Sequence, residues 1–328
     1  MQRSSLPAGH ALFFMRSGVK KYIAGCLALL ALGCHSNSGT QRDTQTSGTV
    51  HISVDESYKP LIDSEISVFE TLHPDAHIIV DYKPEAECFK DLINDSAKLV
   101  IVTRDLNSTE KKYFQDNKTH ITAKILAWDA VALIVNPANR DTTMTMDEVR
   151  ALMGGQTGNR YELVFDHQNS SLVRYAIDSI NRGKPLPSNT KAANGCAEVV
   201  DYVAGHENAV GVIGVSWISN PYDSTGLSFL NKIRVVGLMS DSTLQVQRQN
   251  PGFDPATSSY YFKPFQAYIA LKSYPLTRAF YFVLREPYFG LGTGFANFLG
   301  GNQGQLIIGQ HRLFPARLNI VFRDATIH

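Results

Sequence analysis

The sequence has 328 residues, enough for about two domains of ordinary size. Apolar residues make up 44% and charged residues 19%, which argues against a disordered, collagen-like or coiled-coil chain. The net charge is only +1, whereas a protein that neutralises nucleic-acid phosphates has a clear basic excess, so we predict no nucleic-acid partner. Four cysteines are too few for a fold built on disulfides.

The N-terminal segment has the pattern of a secretion signal. A cationic stretch precedes an uncharged apolar run of 12 residues, Tyr22–Gly33, which is too short to cross a bilayer but typical of a signal peptide. The run ends in small residues before a cysteine, Ala31–Cys34, and resembles the cleavage site of a bacterial lipoprotein. We predict a signal peptide over residues 1–33 and lipidation of Cys34; a plain signal peptide or a buried helix stays open as the alternative.

The residues that follow are rich in Ser, Thr, Asn, Gln and Gly, a composition typical of a flexible tether, which we place at 34–47. Removing residues 1–33 takes away four basic residues and no acidic one, so the net charge becomes −3. Cys88 and Cys196 could pair in an oxidising compartment, although separate buried thiols are the favoured interpretation. Met1 and Met15 both stay open as the start of the protein.

Strand and helix patterns alternate through the rest of the chain. Short apolar runs predict strands at Val50–Val54, Ile78–Tyr82, Leu99–Thr103, Ile121–Trp128, Ala130–Val135, Glu162–Phe165, Val210–Trp217 and Ile233–Met239. Helical spacing predicts helices at Ser57–Leu72, Ala86–Asp95, Asn107–Asp116, Met146–Met153, Ser170–Ile180, Cys196–Val203 and Thr293–Gly309. Two polar segments, Asn220–Thr225 and Ser240–Ser259, are predicted to be surface connections. Repeated βα units indicate an α/β fold with mostly parallel sheets flanked by helices.

Most signatures of catalysis are missing from the sequence. It contains no GxSxG, GxxxxGK[ST], HExxH or CxxC motif, and no two histidines have ligand spacing on one element. The glycines of Gly290–Gly294 resemble a dinucleotide loop only loosely, and the start of a helix is the favoured interpretation. Gly154–Gly158 is interpreted as a helix C-terminal turn. We therefore predict no enzyme activity, no metal and no cofactor.

Three junctions after predicted strands carry side chains suited to binding an anion. In open α/β sheets ligands lie beyond the carboxyl ends of the strands, where helix N-termini favour negative charge. The junctions are Val54–Ser57, Val102–Asp105 and Phe165–Arg174. A serine at a helix start is more often only an N-cap, so the recurrence at three strand ends is the informative feature.

Several stretches together resemble the periplasmic phosphate-binding proteins of ABC importers (PstS-like proteins), which have the type II periplasmic-binding fold. They are Leu99–Leu106, Asp129–Pro137, Thr145–Gly154, Ala209–Gly214, Tyr274–Arg278 and Gly304-Gln305, within a resemblance that covers about Thr49–Asn319. The chain looks most like a lipoprotein branch of this family. The resemblance implies two lobes with a ligand cleft between them, lobe 1 from residues 48–127 and 260–328 and lobe 2 from residues 128–259.

The resemblance also implies which residues bind the ligand. They are Ser57, Thr103, Arg104, Asp166, Ser170, Ser171 and Arg174. In the third family motif an arginine is followed, after three intervening residues, by Ser-Gly-Thr. Here Asp166 takes the place of that arginine, and Ser170-Ser171-Leu172 takes the place of Ser-Gly-Thr.

Acidic residues in these motifs would repel a dianion by roughly several kcal/mol if desolvated. Asp55 and Glu56 directly precede Ser57, and Asp166 occupies the arginine position. One compensating arrangement is a pair between Arg104 and Asp166 across the cleft, with Arg174 facing the ligand; a solvated helix face is the alternative for Arg174. The two acids beside Ser57 could instead complement a helix dipole.

Three functions follow from these observations. The first is a periplasmic, lipid-anchored solute-binding protein that captures phosphate or a related oxyanion for an ABC permease. The second keeps the fold but has another ligand and acts as a sensor or structural partner in an envelope complex, which the acidic substitutions favour. The third, a periplasmic enzyme on the same fold, is disfavoured by the missing nucleophile, base and metal arrangement.

Overall fold

The computed structural model of the protein describes residues 43–219, 224–250, 252–254 and 258–317. The predicted signal peptide, the lipidation of Cys34 and the choice between Met1 and Met15 lie outside the described residues. The strands are β1 (Gly48–Asp55), β2 (Ala76–Lys83), β3 (Leu99–Val102), β4 (Thr122–Val135), β5 (Thr143–Thr145), β6 (Glu162–Phe165), β7 (Lys191–Ala192), β8 (Ala209–Gly214), β9 (Arg234–Val235), β10 (Gly237–Met239), β11 (Thr277–Leu284) and β12 (Phe314–Pro315).

Helices occupy most of the connections between these strands. They are α1 (Lys59–Leu72), α2 (Glu85–Asn94), α3 (Ser108–Asp116), α4 (Met146–Met153), α5 (Ser171–Tyr175), α6 (Cys196–Gly205), α7 (Ser216–Ser219), α8 (Ser224–Lys232), α9 (Asp241–Gln247), α10 (Gln266–Ala270), α11 (Leu291–Leu299) and α12 (Asn302–Gln310). A short 3-10 turn, Glu56–Tyr58, joins β1 to α1. The predicted α/β class is confirmed.

The described residues form one ten-stranded sheet, in the order β2-β1-β3-β11-β4-β8-β6-β7, with β9 and β12 also paired to β4. β1, β2 and β3 are parallel, and so are β6, β7 and β8, whereas β11 and β4 run antiparallel to their neighbours. We call the strands from β2 to β11 the first half of the sheet and the strands from β8 to β7 the second half. Helices α1, α2 and α11 pack on the strands of the first half, and α6 packs on those of the second half.

β4 is shared by both halves of the sheet. The sequence predicted two strands with a break at Asp129, and this was wrong: Thr122–Val135 is one strand of 14 residues. Its first part, Thr122–Ala130, pairs with β11, and its second part, Val131–Val135, pairs with β8. Asp129 does not turn the chain, because its side chain is paired within the sheet rather than exposed in a loop.

Other predicted boundaries were displaced by local chemistry. Two glycines, Gly300 and Gly301, divide the predicted helix Thr293–Gly309 into α11 and α12, since glycine is a poor helix former. The predicted helix Ser170–Ile180 is α-helical only as far as Tyr175 and continues as one π turn, Ala176–Ile180.

The predicted strand Val210–Trp217 ends at Gly214, and Trp217 lies in α7. The predicted connection Ser240–Ser259 contains helix α9, and β11 was not predicted from the sequence as a strand.

The folded body begins before the predicted end of the tether. Asp43 accepts a hydrogen bond from the N–H of Leu291 at 2.8 Å, and Thr44 pairs with Ser47 in a β-bridge. A Cβ at position 294 would lie 1.8 Å from the carbonyl oxygen of Gln45, so Gly294 lets this segment pack against the start of α11. The glycines of Gly290–Gly294 therefore mark a helix start where another segment of backbone packs closely, at Gly294.

In the part of the chain that the structure describes, two buried clusters form the core, a large one that extends through both halves of the sheet and a small one around α2 and β3. Cys196 belongs to the large cluster and Cys88 to the small one, and both are free thiols. The interpretation as separate buried cysteines is confirmed. In the described residues no helix is long and apolar enough to cross a membrane.

Helix α1 buries a carboxyl group in the first half. Glu65 is 0% exposed, and neither of its carboxyl oxygens has a hydrogen-bond partner among the described residues. Burial raises the pKa of Glu65 to about 9. The protein therefore folds with this side chain protonated at neutral pH.

We predict that Glu65 makes the protein less stable as the pH rises. Because the unfolded chain releases the proton near the ordinary pKa of 4.5 and the folded chain near 9, the free energy of unfolding falls between these values by roughly 1.4 kcal/mol per pH unit. Glu65→Gln should flatten this slope in urea denaturation measured from pH 5 to about pH 9. Glu87→Gln, at an exposed site, is the control, and an unchanged slope in Glu65→Gln would contradict the assignment.

Candidate functional site

Polar residues from five strands and their following loops meet where the two halves of the sheet adjoin. Asp55 ends β1 and Ser57 follows it, Thr103 follows β3, and Ser171 comes after β6. Asp129 on β4 and Arg278 on β11 stand directly opposite each other in the antiparallel ladder. The ends of β1, β3 and β6 are the carboxyl ends of parallel strands, where ligands bind in open α/β sheets.

Arg278 is the centre of this cluster, and its side chain is only 3% exposed. Its Nε donates to Asp129 Oδ2 at 2.9 Å, its Nη1 to Ser171 Oγ at 2.8 Å and its Nη2 to Ser57 Oγ at 3.2 Å. Burial alone would lower the pKa of Arg278, but the neighbouring Tyr58, Asp129 and Asp55 raise it above its ordinary value. The guanidinium is therefore permanently charged, and each terminal nitrogen keeps one further N–H for an acceptor.

Ser57 and Ser171 bring the two halves of the sheet together. Their Oγ atoms lie 3.5 Å apart, and both residues are buried. Ser216, after β8, also donates its hydroxyl to the carbonyl oxygen of Ser57 at 2.7 Å. Two hydroxyl groups from different halves thus face the same guanidinium.

Arg174 makes a second contact across the two halves. Its Nε donates to Glu85 Oε2 at 2.6 Å, and its Nη2 donates to Thr103 Oγ1 at 2.6 Å. Glu85 also accepts the backbone N–H and the hydroxyl of Thr103, each at 2.7 Å. Arg174 thus does not lie on a solvated helix face, and it forms the cross-cleft ion pair that the sequence assigned to Arg104.

The hypothesised pair between Arg104 and Asp166 is not formed. Both terminal nitrogens of Arg104 bind Glu110, each at 2.8 Å, and the guanidinium lies 3.7 Å from the centroid of the Phe89 ring. Glu110 belongs to the first turn of α3, six residues away along the chain, so a local bidentate partner holds Arg104 away from the cluster around Arg278.

Asp166 lies at the end of β6 beside the serines that begin α5. Ser170 is the N-cap of α5, accepting from the N–H of Val173 at 3.2 Å. Burial raises the pKa of Asp166 to about 6, the charge of Asp55 adds to this shift, and a hydrogen bond from Ser170 opposes it. The next residue, His167, contacts Glu56 of the first half, with Nε2 and Oε2 2.5 Å apart.

Three carboxyl oxygens of the cluster have no partner. Asp55 Oδ2, Asp129 Oδ1 and Asp166 Oδ1 are buried and form no hydrogen bond within the described residues. The other oxygen of Asp55 accepts the backbone N–H of Ser57 at 2.9 Å and also the Ser57 hydroxyl. Burial raises the pKa of Asp55, the charge of Glu85 raises it further, and Arg278 opposes both.

Sequence reasoning missed three members of this site: Arg278, Asp129 and Glu85. Arg278 and Asp129 were within the stretches that carry the family resemblance, but neither was assigned a role in the cleft. A charge inside the apolar run of β4 was the available signal for Asp129, because an isolated buried charge requires a partner.

No group of three or more His, Cys, Asp or Glu side chains in the described ranges is arranged to hold a metal ion.

We predict that Arg278→Gln destabilises the protein by about 3–5 kcal/mol, because it leaves the buried carboxylate of Asp129 without a counter-charge. Adding Asp129→Asn in the same chain should restore much of this loss. Arg160→Gln, which removes an exposed pair with Asp141, should leave the stability nearly unchanged, because solvent screens that pair. The free energy of unfolding from urea denaturation measures all three, and equal losses in the first and last variants would contradict the role of the buried pair.

Comparisons with known proteins agree with this architecture. The family profile described as the PBP superfamily domain matches residues 39–302. A comparison with curated proteins finds no match.

Solved structures of similar fold cover 82% of the chain. A putative phosphate ABC transporter substrate-binding protein with bound phosphate from Clostridium perfringens is 19% identical, is covered over 100% of its length and has a TM-score of 0.64. An ABC-type phosphate transport receptor from Vibrio cholerae is 17% identical, covered over 100%, with a TM-score of 0.57. A possible phosphate binding protein from Planctomyces limnophilus is 17% identical, covered over 93%, with a TM-score of 0.53. The chain therefore belongs to the family described as the PBP superfamily domain. It has the two-lobed, PstS-like type II periplasmic-binding fold that its sequence resembles.

Proposed function

We propose that the protein is an extracytoplasmic solute-binding protein that captures phosphate or a related oxyanion between two lobes. The observation that carries this proposal is the buried Arg278 guanidinium, which faces hydroxyl groups from both halves of the sheet, Ser57 and Ser171. Fixed N–H and O–H donors around one permanent positive charge are what an oxyanion requires. The lobes would be residues 48–127 with 260–328 and residues 128–259, with β4 crossing between them.

Ligand capture would work by closure of the two lobes. An oxyanion beside Ser57 and Ser171 would accept hydrogen bonds from the Ser171 hydroxyl and the remaining N–H groups of Arg278, and from the Ser57 hydroxyl once that hydroxyl turns away from Asp55. The pair between Arg174 and Glu85 and the contact of Ser216 with Ser57 would then hold the lobes together around it. Opening would require these contacts to break. A bound ligand would therefore raise the population of the closed form.

The remaining parts of the proposal concern the surroundings of the protein. Two of the similar structures are named as a phosphate ABC transporter substrate-binding protein and an ABC-type phosphate transport receptor, which supports an ABC permease as partner and a periplasmic location. The lipoprotein pattern at Ala31–Cys34 supports a lipid anchor at Cys34. No step in this mechanism needs a cofactor or an enzyme activity.

A second candidate function keeps the fold and replaces the ligand. The acidic side chains of Asp55 and Asp166 in the cluster favour it, because both would repel a dianion. In that case the protein would be a sensor or a structural partner in an envelope complex.

We expect phosphate to bind the purified protein, and we expect Ser57→Ala and Ser171→Ala each to weaken binding by about 10-fold or more, because each removes a hydroxyl that faces the bound anion. Calorimetry measures affinity, and small-angle scattering measures the decrease in radius of gyration on closure. Ser67→Ala, exposed on α1, is the control and should bind like the unmodified protein. Absence of heat with phosphate, arsenate and sulfate at millimolar concentration would contradict the proposal.

We expect Cys34→Ala to move the protein from the membrane fraction to the soluble fraction of a bacterial host, because the lipid would be attached to this sulfur. Cys26→Ala, upstream in the signal segment, is the matched control and should remain in the membrane fraction. Fractionation with detection of the protein in each fraction measures the outcome. A Cys34→Ala protein that stays membrane-bound and is processed normally would disprove the anchor.

A further inference from the structure

A second set of anion donors surrounds a carboxyl group of the protein itself. The backbone N–H and the hydroxyl of Thr103 both donate to Glu85 Oε1, each at 2.7 Å, and Arg174 Nε donates to Glu85 Oε2 at 2.6 Å. Because the Thr103 hydroxyl also accepts from Arg174 Nη2 at 2.6 Å, its own proton is directed to Glu85. A backbone N–H, a hydroxyl and a guanidinium around one anionic group are the donors that hold a bound oxyanion in proteins.

The donors come from both halves of the sheet. Thr103 follows β3 of the first half, and Arg174 belongs to α5, which comes after β6 of the second half. Glu85 is the first residue of α2, after β2, and is only 3% exposed. Its carboxylate therefore stands where a small anion from solution would otherwise join the two halves.

This donor set is separate from the cluster around Arg278 but belongs to the same cleft. Ser171, which accepts from Arg278, and Arg174 are three residues apart on α5, and residues so spaced lie on the same face of a helix with their Cβ atoms about 5–6 Å apart. Burial raises the pKa of Asp55, and the charge of Glu85 raises it further. Glu85 therefore acts electrostatically on the first cluster without being one of its members.

The donors around Glu85 depend on this one acceptor. The other acid beside Arg174 is Asp178, whose Oδ2 lies 3.7 Å from Nη1, beyond hydrogen-bond range, and whose side chain is 57% exposed. Removing the Glu85 carboxylate would leave the N–H of Thr103 and the guanidinium of Arg174 without the acceptor that now satisfies them. Buried donors without an acceptor are costly, so the site favours any anion that fits it.

We propose that Glu85 is a built-in anion, which permanently occupies a second oxyanion site of the cleft and joins the two halves of the sheet there. Thr103 and Arg174 then serve the carboxylate of the protein, and ligand contacts are confined to the cluster around Arg278. Without that carboxylate the site would take a small monocarboxylate or another small oxyanion. The proposal goes beyond the proposed function, because it does not require phosphate to bind at Arg278.

The test removes the carboxylate and returns it as a free ion. Glu85→Ala deletes two carbons and two oxygens, the same heavy atoms as those of acetate, and introduces the residue with the highest helix propensity. We expect sodium acetate at about 0.2 M and neutral pH to raise the Tm of this variant by about 2–5 °C more than it raises that of the unmodified protein, because an ion that binds only the folded chain stabilises it. Sodium chloride at the same ionic strength measures the general effect of salt.

Matched variants locate the bound acetate. Glu87→Ala, on the same helix with a 43% exposed side chain, should respond to acetate like the unmodified protein. Glu85→Gln, whose side chain still fills the site, should also show no additional response. Arg174→Gln combined with Glu85→Ala removes the guanidinium and should abolish the additional response.

Each result decides for or against the proposal. A Glu85→Ala protein that responds to acetate no more than the unmodified protein would overturn it, as would an additional response that persists without Arg174. If Glu85→Ala is unfolded in chloride, recovery of its native circular dichroism in acetate supports the proposal and absence of recovery overturns it. Failure of the unmodified protein to bind phosphate would overturn the proposed function alone and leave the role of Glu85 intact.

Discussion

The buried ion pair between Arg278 and Asp129 is the interaction on which the cleft depends. The two residues face each other in the antiparallel ladder of β11 and β4, so the sheet itself sets their separation. Tyr58 donates its hydroxyl to the same Asp129 oxygen at 3.0 Å and thereby helps to fix the carboxylate. Buried pairs of this kind add little to stability relative to apolar side chains, but they hold a charge in one orientation. Here that orientation directs the guanidinium towards Ser57, in the 3-10 turn after β1, and Ser171, the first residue of α5.

The sharing of β4 by both halves of the sheet explains why the cleft lies where it does. Its first part pairs with β11 and its second with β8, so the strand passes from one half into the other close to Asp129. The ends of β1, β3 and β6 then face each other across this crossing. Side chains from the two halves meet there directly, in the contacts of Ser57 with Ser171 and of Arg174 with Glu85. A change of ligand occupancy would therefore be transmitted to the arrangement of the two halves.

Unpartnered buried carboxyl groups occur in two different surroundings in this protein. Glu65 is enclosed on α1, away from the cluster around Arg278, and acts only on stability. Asp55 and Asp166 instead adjoin hydroxyl groups and a guanidinium, and each has one satisfied and one unsatisfied oxygen. Burial without a partner is costly in both places, but only in the cleft can a bound molecule supply the missing donor. This difference of surroundings separates Glu65 from the carboxyl groups of the proposed ligand site.

The sequence by itself determined the α/β class, most strand and helix positions and the clustering of hydroxyl residues at strand ends, because these depend on local periodicity and on motif order. It placed Ser57, Thr103 and Ser171 near strand ends, and the structure brings Ser57 and Ser171 together at Arg278 and places Thr103 against Arg174. Only the tertiary structure decided which arginine serves which acid: Arg104 binds Glu110, whereas Arg174 reaches Glu85 and Arg278 reaches Asp129. The partners of Arg174 and Arg278 lie 89 and 149 residues away along the chain, so strand order and register set them, and residue type and spacing do not contain that information. β4 continues unbroken through Asp129 for the same reason. The charge that suggested a break is neutralised by Arg278 of β11, which is distant in the sequence.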